Sequence, residues 1–110
     1  SQTENVRFSM NALGVLFRAG GYNYYEFEHS VKKGGDYTID LGIIATECLV
    51  EFFVEVNGIK TAHYKPDKHG ISNEKIPFQT KLKDGKNRFR IVPVIDGCIV
   101  LDYMTINQRD

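Results

Sequence analysis

Two pairs of glutamates, Glu26 with Glu28 and Glu51 with Glu55, are the candidates for catalytic chemistry, because each pair shares the outer face of one predicted strand and paired carboxylates can serve as acid and base. In an extended strand Glu26 and Glu28 point to the same side, with a spacing of about 6.5–7 Å. Paired carboxylates that cleave glycosidic bonds are about 5–10 Å apart. Outward glutamates on an antiparallel sheet are nevertheless more often solubilising. The sequence contains no Gly-x-Ser-x-Gly and no His-Glu-x-x-His motif. We therefore expect no catalytic residues and no enzyme.

Side chains suited to binding a ligand fall at the breaks between extended segments. An aromatic ring can stack on the apolar face of a sugar ring, while its hydroxyl group bonds to a sugar hydroxyl. Loops on rigid scaffolds often carry such groups. On this ground Tyr22, Tyr64, Asp67, His69 and Asn73 are predicted to bind a ligand. Structural roles stay open for them: packing for the tyrosines and a solvated connection for the loop 65–74.

The charge balance argues against polyanionic partners for the chain as a whole. Fourteen Lys and Arg residues offset fourteen Asp and Glu residues among 110, which gives a formal net charge of zero. No long-range field would then attract nucleic acid or an anionic membrane. A basic strip at Lys86, Arg88 and Arg90, interleaved with Phe89, is the one hint of an oligonucleotide platform. No apolar run approaches the roughly 18 residues of a membrane span. We expect neither nucleic acid nor membrane as a partner.

Length and cysteine usage set further bounds. A chain of 110 residues is expected to form one domain, residues 1–110. Its abrupt start, without a signal peptide, suggests a mature or excised module. Cys48 and Cys98 fit two buried apolar side chains, and a disulfide bond between neighbouring strands is an alternative.

The elements that must position these residues are short strands separated by turns. Runs rich in β-branched and aromatic residues alternate with Gly pairs and with Asn57-Gly58, a strong hairpin signal. On residues 48–56 the even positions form one apolar face, and Phe53 lies on the other between two glutamates. The predicted strands are 5–10, 14–18, 22–31, 36–45, 48–56, 59–64, 76–82, 87–94 and 98–106. Eight or nine strands without helical periodicity predict an all-β fold, an antiparallel β-sandwich of jelly-roll type.

Four sequence blocks, in order, resemble a recurring pattern of carbohydrate-binding modules of families six and thirty-five, which share a galactose-binding-like β-sandwich. The first block is Tyr24-Tyr-Glu-Phe27 followed by Ser30-Val-Lys-Lys-Gly-Gly-Asp-Tyr-Thr-Ile39. The others are Phe52-Phe-Val-Glu-Val-Asn-Gly58, Leu82-Lys-Asp-Gly-Lys-Asn-Arg-Phe-Arg-Ile91 and Val100-Leu-Asp-Tyr-Met104.

The resemblance implies a non-catalytic module that holds a secreted carbohydrate-active polypeptide on a polysaccharide or oligosaccharide. It implies a sugar site in the loops at one end of the sandwich and adds Tyr24 and Asp96 to the predicted ligand-binding residues, with packing and an ordinary turn as their alternative roles. It also implies a structural calcium ion, for which Glu4 and Asp102 are the matching ligands. The implied location is extracellular, and the implied covalent partner is a larger catalytic polypeptide.

The chain departs from the family pattern in three places; the first two favour an alternative function, and the third argues against the calcium site. The chain has no tryptophan, Val100 stands where relatives carry a sugar-contacting Asn, and only Glu4 remains of a paired acidic motif. The alternative is a structural or protein-interaction β-sandwich without sugar binding. An exposed, concave site with a polar rim around the tyrosines would favour sugar binding, and a flat apolar patch over them would favour a protein partner.

Overall fold

The computed structural model describes residues 3–8, 15–17, 24–45, 51–65, 71–94 and 97–109, which form nine β-strands and no helix. The strands are β1 (Thr3–Arg7), β2 (Val15–Phe17), β3 (Tyr25–Val31), β4 (Gly35–Ala45), β5 (Phe52–Val56), β6 (Ile59–Tyr64), β7 (Ser72–Leu82), β8 (Gly85–Pro93) and β9 (Gly97–Gln108). Across these residues there is no helix long and apolar enough to cross a membrane.

The strands form two antiparallel sheets. In the five-stranded sheet the order is β1-β9-β4-β7, and β2 pairs with β9; in the four-stranded sheet the order is β3-β8-β5-β6. Apolar side chains from both sheets pack into one shared core. The predicted antiparallel β-sandwich is confirmed.

Alternation along the strands explains why the two sheets face each other. Phe52, Val54 and Val56 are at most 2% exposed, while Phe53 and Glu55 are half-buried on the opposite face of β5. The same alternation holds along β4 and β8. One face of each strand therefore belongs to the core, as its sequence pattern predicts.

The Asn57-Gly58 turn joins β5 to β6 as predicted. Its two residues have φ angles of 51° and 86°, and Val56 pairs with Ile59 across it. Positive φ at both central residues matches a type I′ turn, whose twist suits two antiparallel strands. We call this end of the sandwich the hairpin end and the opposite end the loop end.

A hydrogen-bond network locks the hairpin end. The Asn87 side chain, 1% exposed, accepts hydrogen bonds from Lys83 N and Asn57 Nδ2, both at 2.9 Å. Its Nδ2 atom donates to Lys83 O and Gly85 O, both at 3.0 Å. Asn57 Oδ1 in turn accepts from Arg88 N at 2.9 Å. The hairpin and the β7–β8 turn are thereby joined.

Three predicted boundaries were wrong. The strand predicted at 76–82 begins at Ser72, so that Asn73 lies in a strand and not in a loop. Antiparallel pairing of Ser72, Asn73 and Glu74 with the end of β4 outweighs the weak strand preference of these polar residues. The first strand begins at Thr3 and ends at Arg7, because its partners on β9 extend from Asn107 to Tyr103. The segment 48–50 and the side chain of Cys98 lie outside the described part of the chain, and with them the question of a disulfide bond.

Candidate functional site

The strand ends next to the predicted ligand-binding residues meet at the loop end. Within the four-stranded sheet Tyr25 pairs with Ile91, and Phe52 pairs with both Tyr64 and Pro93. Three residues separate Pro93 from Gly97, which lies in the other sheet. The Cα atoms of Pro93 and Gly97 are therefore at most about 14 Å apart. Both sheets therefore present these strand ends on the same side of the molecule.

The described members of the predicted set do not converge there. Tyr24 is 41% exposed on the outer face of the four-stranded sheet. Tyr64 faces the other way: its ring centroid lies 5.2 Å from that of Phe52, and it packs against the core. Asn73 is exposed on the five-stranded sheet. The predicted residues Tyr22, Asp67, His69 and Asp96 lie outside the described residues.

An aromatic row crosses the outer face of the four-stranded sheet beside Tyr24. Val92 pairs with Phe53, which pairs with His63, and Tyr24 is one residue before the partner of Ile91. We call Tyr24, Val92, Phe53 and His63 the aromatic row. The Phe53 and His63 rings are stacked, with centroids 4.6 Å apart and planes inclined by 22°. Glu51 Oε2 fixes the imidazole through a contact of 2.6 Å with His63 Nε2.

A row of alternating charges lies directly beside it. Pairing places Glu26 next to Arg90, Arg90 next to Glu55, and Glu55 next to Lys60. We call these four residues the charged row. Arg90 Nε donates to Glu26 Oε1 at 2.6 Å, and this hydrogen bond raises the pKa of the Arg90 guanidinium.

Cations of the charged row contact rings of the aromatic row. Arg90 Cζ lies 4.4 Å from the Tyr24 ring centroid, and Lys60 Nζ lies 4.1 Å from that of Phe53. Such contacts are attractive because the ring face is electron-rich. Together the two rows place stacking surfaces next to hydrogen-bond donors and acceptors whose positions the cross-strand contacts fix.

The candidate catalytic pair has other contacts. Glu26 is hydrogen-bonded to Arg90 and also lies 3.9 Å from Arg88 Nε. Glu28 lies towards the hairpin end, where it lines a cavity together with Asn57. The ring that the oligonucleotide alternative needs is in the core, since Phe89 is 1% exposed and stacks on Phe27 with a centroid distance of 5.2 Å. Arg88 and Arg90 therefore lack an interleaved exposed ring.

Glu4 and Asp102 are not brought together. Glu4 Oε2 contacts His29 Nε2 at 2.6 Å, whereas Asp102 Oδ1 accepts from Arg7 Nη1 at 3.2 Å. Glu4 pairs with Ile106, four residues along β9 from Asp102, or roughly 13 Å at strand spacing. No group of three or more His, Cys, Asp or Glu side chains among the described residues could hold a metal ion. These two carboxylates therefore do not fit a shared calcium site.

Comparison with solved structures decides the fold family. A family 35 carbohydrate-binding module from Clostridium thermocellum superposes with a TM-score of 0.67 at 13% identity, covering 99% of this chain and 100% of that one. The chain has the fold of a carbohydrate-binding module. The C-terminal CBM6 of a marine laminarinase from Zobellia galactanivorans gives a TM-score of 0.66 at 11% identity, with coverage of 97% and 100%.

A further match lies inside a longer enzyme. The GH26-CBM35 β-(1,4)-mannanase of Podospora anserina gives a TM-score of 0.68 at 16% identity, and the match covers 98% of this chain but 28% of that protein. No protein-family model and no curated protein sequence matches the chain. The predicted resemblance to the family six and family thirty-five sandwiches is thus confirmed at the level of the fold.

Sequence reasoning placed Phe53 on the outer face but did not connect it with His63, Arg90 or Tyr24. The two-residue hairpin alone would pair Phe53 with Ala62. A bulge between Val54 and Glu55 shifts the register by one residue, so that Phe53 pairs with His63. The sequence pattern does not show this bulge. The position of β8 between β3 and β5 was not available either, because it depends on packing between segments far apart in the chain.

Proposed function

We propose that this protein is a non-catalytic glycan-binding module whose platform is the aromatic row with its flanking charged row. The observation that carries the proposal is the row itself: rings from β5, β6 and the start of β3 are aligned across one outer face beside four charged side chains. The fold shared with carbohydrate-binding modules supports it. The charged side chains beside Tyr24 supply polar partners that a bound sugar needs.

Binding would combine stacking with hydrogen bonds. Tyr24 offers the more open ring, while the exposed Lys60 side chain moves aside for a ligand at Phe53. Sugar hydroxyl groups then meet the Glu26 carboxylate and the Arg90 guanidinium, which already hold each other in place. Fixed partners lose little freedom when the ligand binds. Tyr22, Asp67, His69 and Asp96 are proposed to extend the site from the neighbouring chain segments.

Affinity electrophoresis in gels containing xylan, pectin, glucan or mannan tests the proposal. Tyr24→Ala should weaken retardation by at least one of these polysaccharides about tenfold, since a stacked aromatic ring contributes about 0.5–1.5 kcal/mol beyond its buried area. In gels of neutral glucan or mannan Ile59→Ala is the matched control, because Ile59 is an exposed apolar residue, at 68%, that lies at the hairpin end and outside the aromatic row. An absence of retardation across a broad panel would refute glycan binding. Equal losses in both variants would refute the platform.

A second assay addresses catalysis. We expect no release of reducing ends when the module is incubated with the polysaccharide that it binds. Turnover that disappears in Glu26→Gln would overturn the non-catalytic part of the proposal. We further propose that the module acts within a secreted polypeptide that carries a catalytic domain, as in the matched mannanase chain. Mass spectrometry of the native polypeptide and its culture medium tests this arrangement.

A further inference from the structure

A groove follows the open side of the sandwich, between β6 and β7. Each of these is the last strand of its sheet, because among the described strands β6 pairs only with β5 and β7 only with β4. The groove has a volume of about 530 Å³, and the buried side chains of Val56 and Leu82 line it. Small-ligand sites commonly have volumes of about 300–1,000 Å³.

A smaller cavity of about 260 Å³ lies next to it at the hairpin end. Asn57 and Lys83 line both cavities, so that the two adjoin. We call the combined surface the basic groove. It is separate from the aromatic row, which crosses the sheet nearer the loop end.

Positive charge is concentrated around the basic groove. Its charged lining residues are five cations and one carboxylate: Lys60, Lys81, Lys83, Lys86, Arg88 and Glu28. The chain as a whole has a net charge of zero, so the excess is local. Lys81, Lys83 and Lys86 are exposed, and none of them forms an ion pair with any residue that the structure describes.

The backbone that carries these lysines is held in place. Lys83 N and O both bond to the Asn87 side chain, and Asn57 connects the same side chain to the hairpin. A rigid site loses less freedom on binding than a mobile one. Hydroxyl and amide groups of Thr80, Gln79 and Asn57 also line the groove and can bond to uncharged sugar hydroxyls.

We propose that the basic groove binds an acidic polysaccharide through its repeating carboxylate or sulfate groups. Charge selects the anion, while the apolar and hydroxyl-bearing walls suit the sugar ring that carries it. A nucleic acid fits less well, since none of the lining residues is aromatic and no base could stack there. This inference adds a second ligand to the proposed function and does not depend on the aromatic row.

Isothermal titration calorimetry shows which anionic group the groove prefers. Polygalacturonate supplies carboxylates, dextran sulfate supplies sulfates, and neutral mannan is the uncharged comparison. Lys81→Gln/Lys83→Gln should weaken binding of the preferred polyanion about fivefold, since each exposed ion pair contributes a factor of roughly 1.4–5. Lys65→Gln/Lys75→Gln is the matched control, with the same charge change at two exposed lysines outside the groove. Binding should disappear near 1 M salt, where the screening length is about 3 Å.

Amide chemical shifts of the wild-type protein locate the ligand without any variant. Shifts at Asn57, Thr80 and Leu82 on adding the polyanion would support the basic groove. Shifts confined to the loop end, equal losses in both double variants, or no binding to either polyanion would overturn the inference. Tighter binding of single-stranded DNA or anionic vesicles would also overturn it.

Lysines on edge strands can instead prevent sheets from pairing edge to edge. If the groove variant forms dimers or aggregates while the wild-type shifts map elsewhere, the lysines protect the edges and the inference fails. Tyr24→Ala separates the two proposals. It should weaken binding at the aromatic row and leave polyanion binding at the basic groove unchanged.

Discussion

Replacing Asn87 should destabilise the fold strongly, because its amide joins two turns from inside the protein. Asn87→Ala leaves Lys83 N, Lys83 O and Gly85 O without their partner and frees the Asn57 amide. An unsatisfied buried polar group costs about 1–3 kcal/mol. Water can reach part of this exposed turn, so we expect a loss of about 2–4 kcal/mol in the free energy of unfolding. Urea unfolding followed by tyrosine fluorescence measures it.

The same loss should appear in thermal unfolding. For a domain of about this size each kcal/mol lowers Tm by about 4–8 °C, so a loss of about 2–4 kcal/mol predicts a decrease of roughly 8–32 °C. Asn87→Asp keeps the acceptor oxygen but removes the donor to two carbonyl groups, so it should also destabilise the protein. Asn57→Gly retains the positive φ while deleting the amide that contacts Asn87. A double-mutant cycle on Asn57 and Asn87 should then give a coupling of about 1 kcal/mol. A loss below about 1 kcal/mol in Asn87→Ala would refute the role of this network.

Two further predictions concern single residues of β4. A Cβ atom at Gly42 would lie 2.0 Å from the Tyr103 ring, so Gly42→Ala should lower the free energy of unfolding by about 1–3 kcal/mol, measured in urea. In a Tyr103→Ala background the same Gly42→Ala substitution should lower it by less. An equal loss in both backgrounds would contradict the clash. Burial, assisted by the nearby charge of Glu4, raises the pKa of Tyr37 above its usual value of 10.0. The folded protein therefore holds this proton more tightly than the unfolded chain, and stability should fall as the pH rises above about 10. In Tyr37→Phe that decline should be shallower in pH-dependent urea titrations, and an unchanged slope would show that other groups cause it.

Local patterns were enough to predict much of the fold. The apolar alternation of Phe52, Val54 and Val56 and the Asn57-Gly58 turn depend on neighbours in sequence, and both are confirmed. The start of β7 was missed because Ser72 and Asn73 are polar, and only pairing with β4 makes them a strand.

The candidate site could be predicted only in part. Alternation placed Tyr24 and Phe53 on outer faces, but their shared platform depends on β8 lying between β3 and β5. Glu4 and Asp102 were expected to share an ion, yet the register of β1 against β9 separates them and gives each a basic partner. Asn87 was predicted only as the first residue of a strand, whereas its buried amide bonds to two turns. Long-range register, rather than residue type, decides each of these cases.

Pairing between the first and last strands has a consequence for attachment. Thr3 lies opposite Asn107, so a tether fused near either of these residues would leave the module from the hairpin end. Tyr24 directly precedes β3, which begins at the loop end. Whichever terminus carries a fused partner, the aromatic row would lie nearer the opposite end of the module. Joining the two termini with a short linker should also give a circular permutant that still folds.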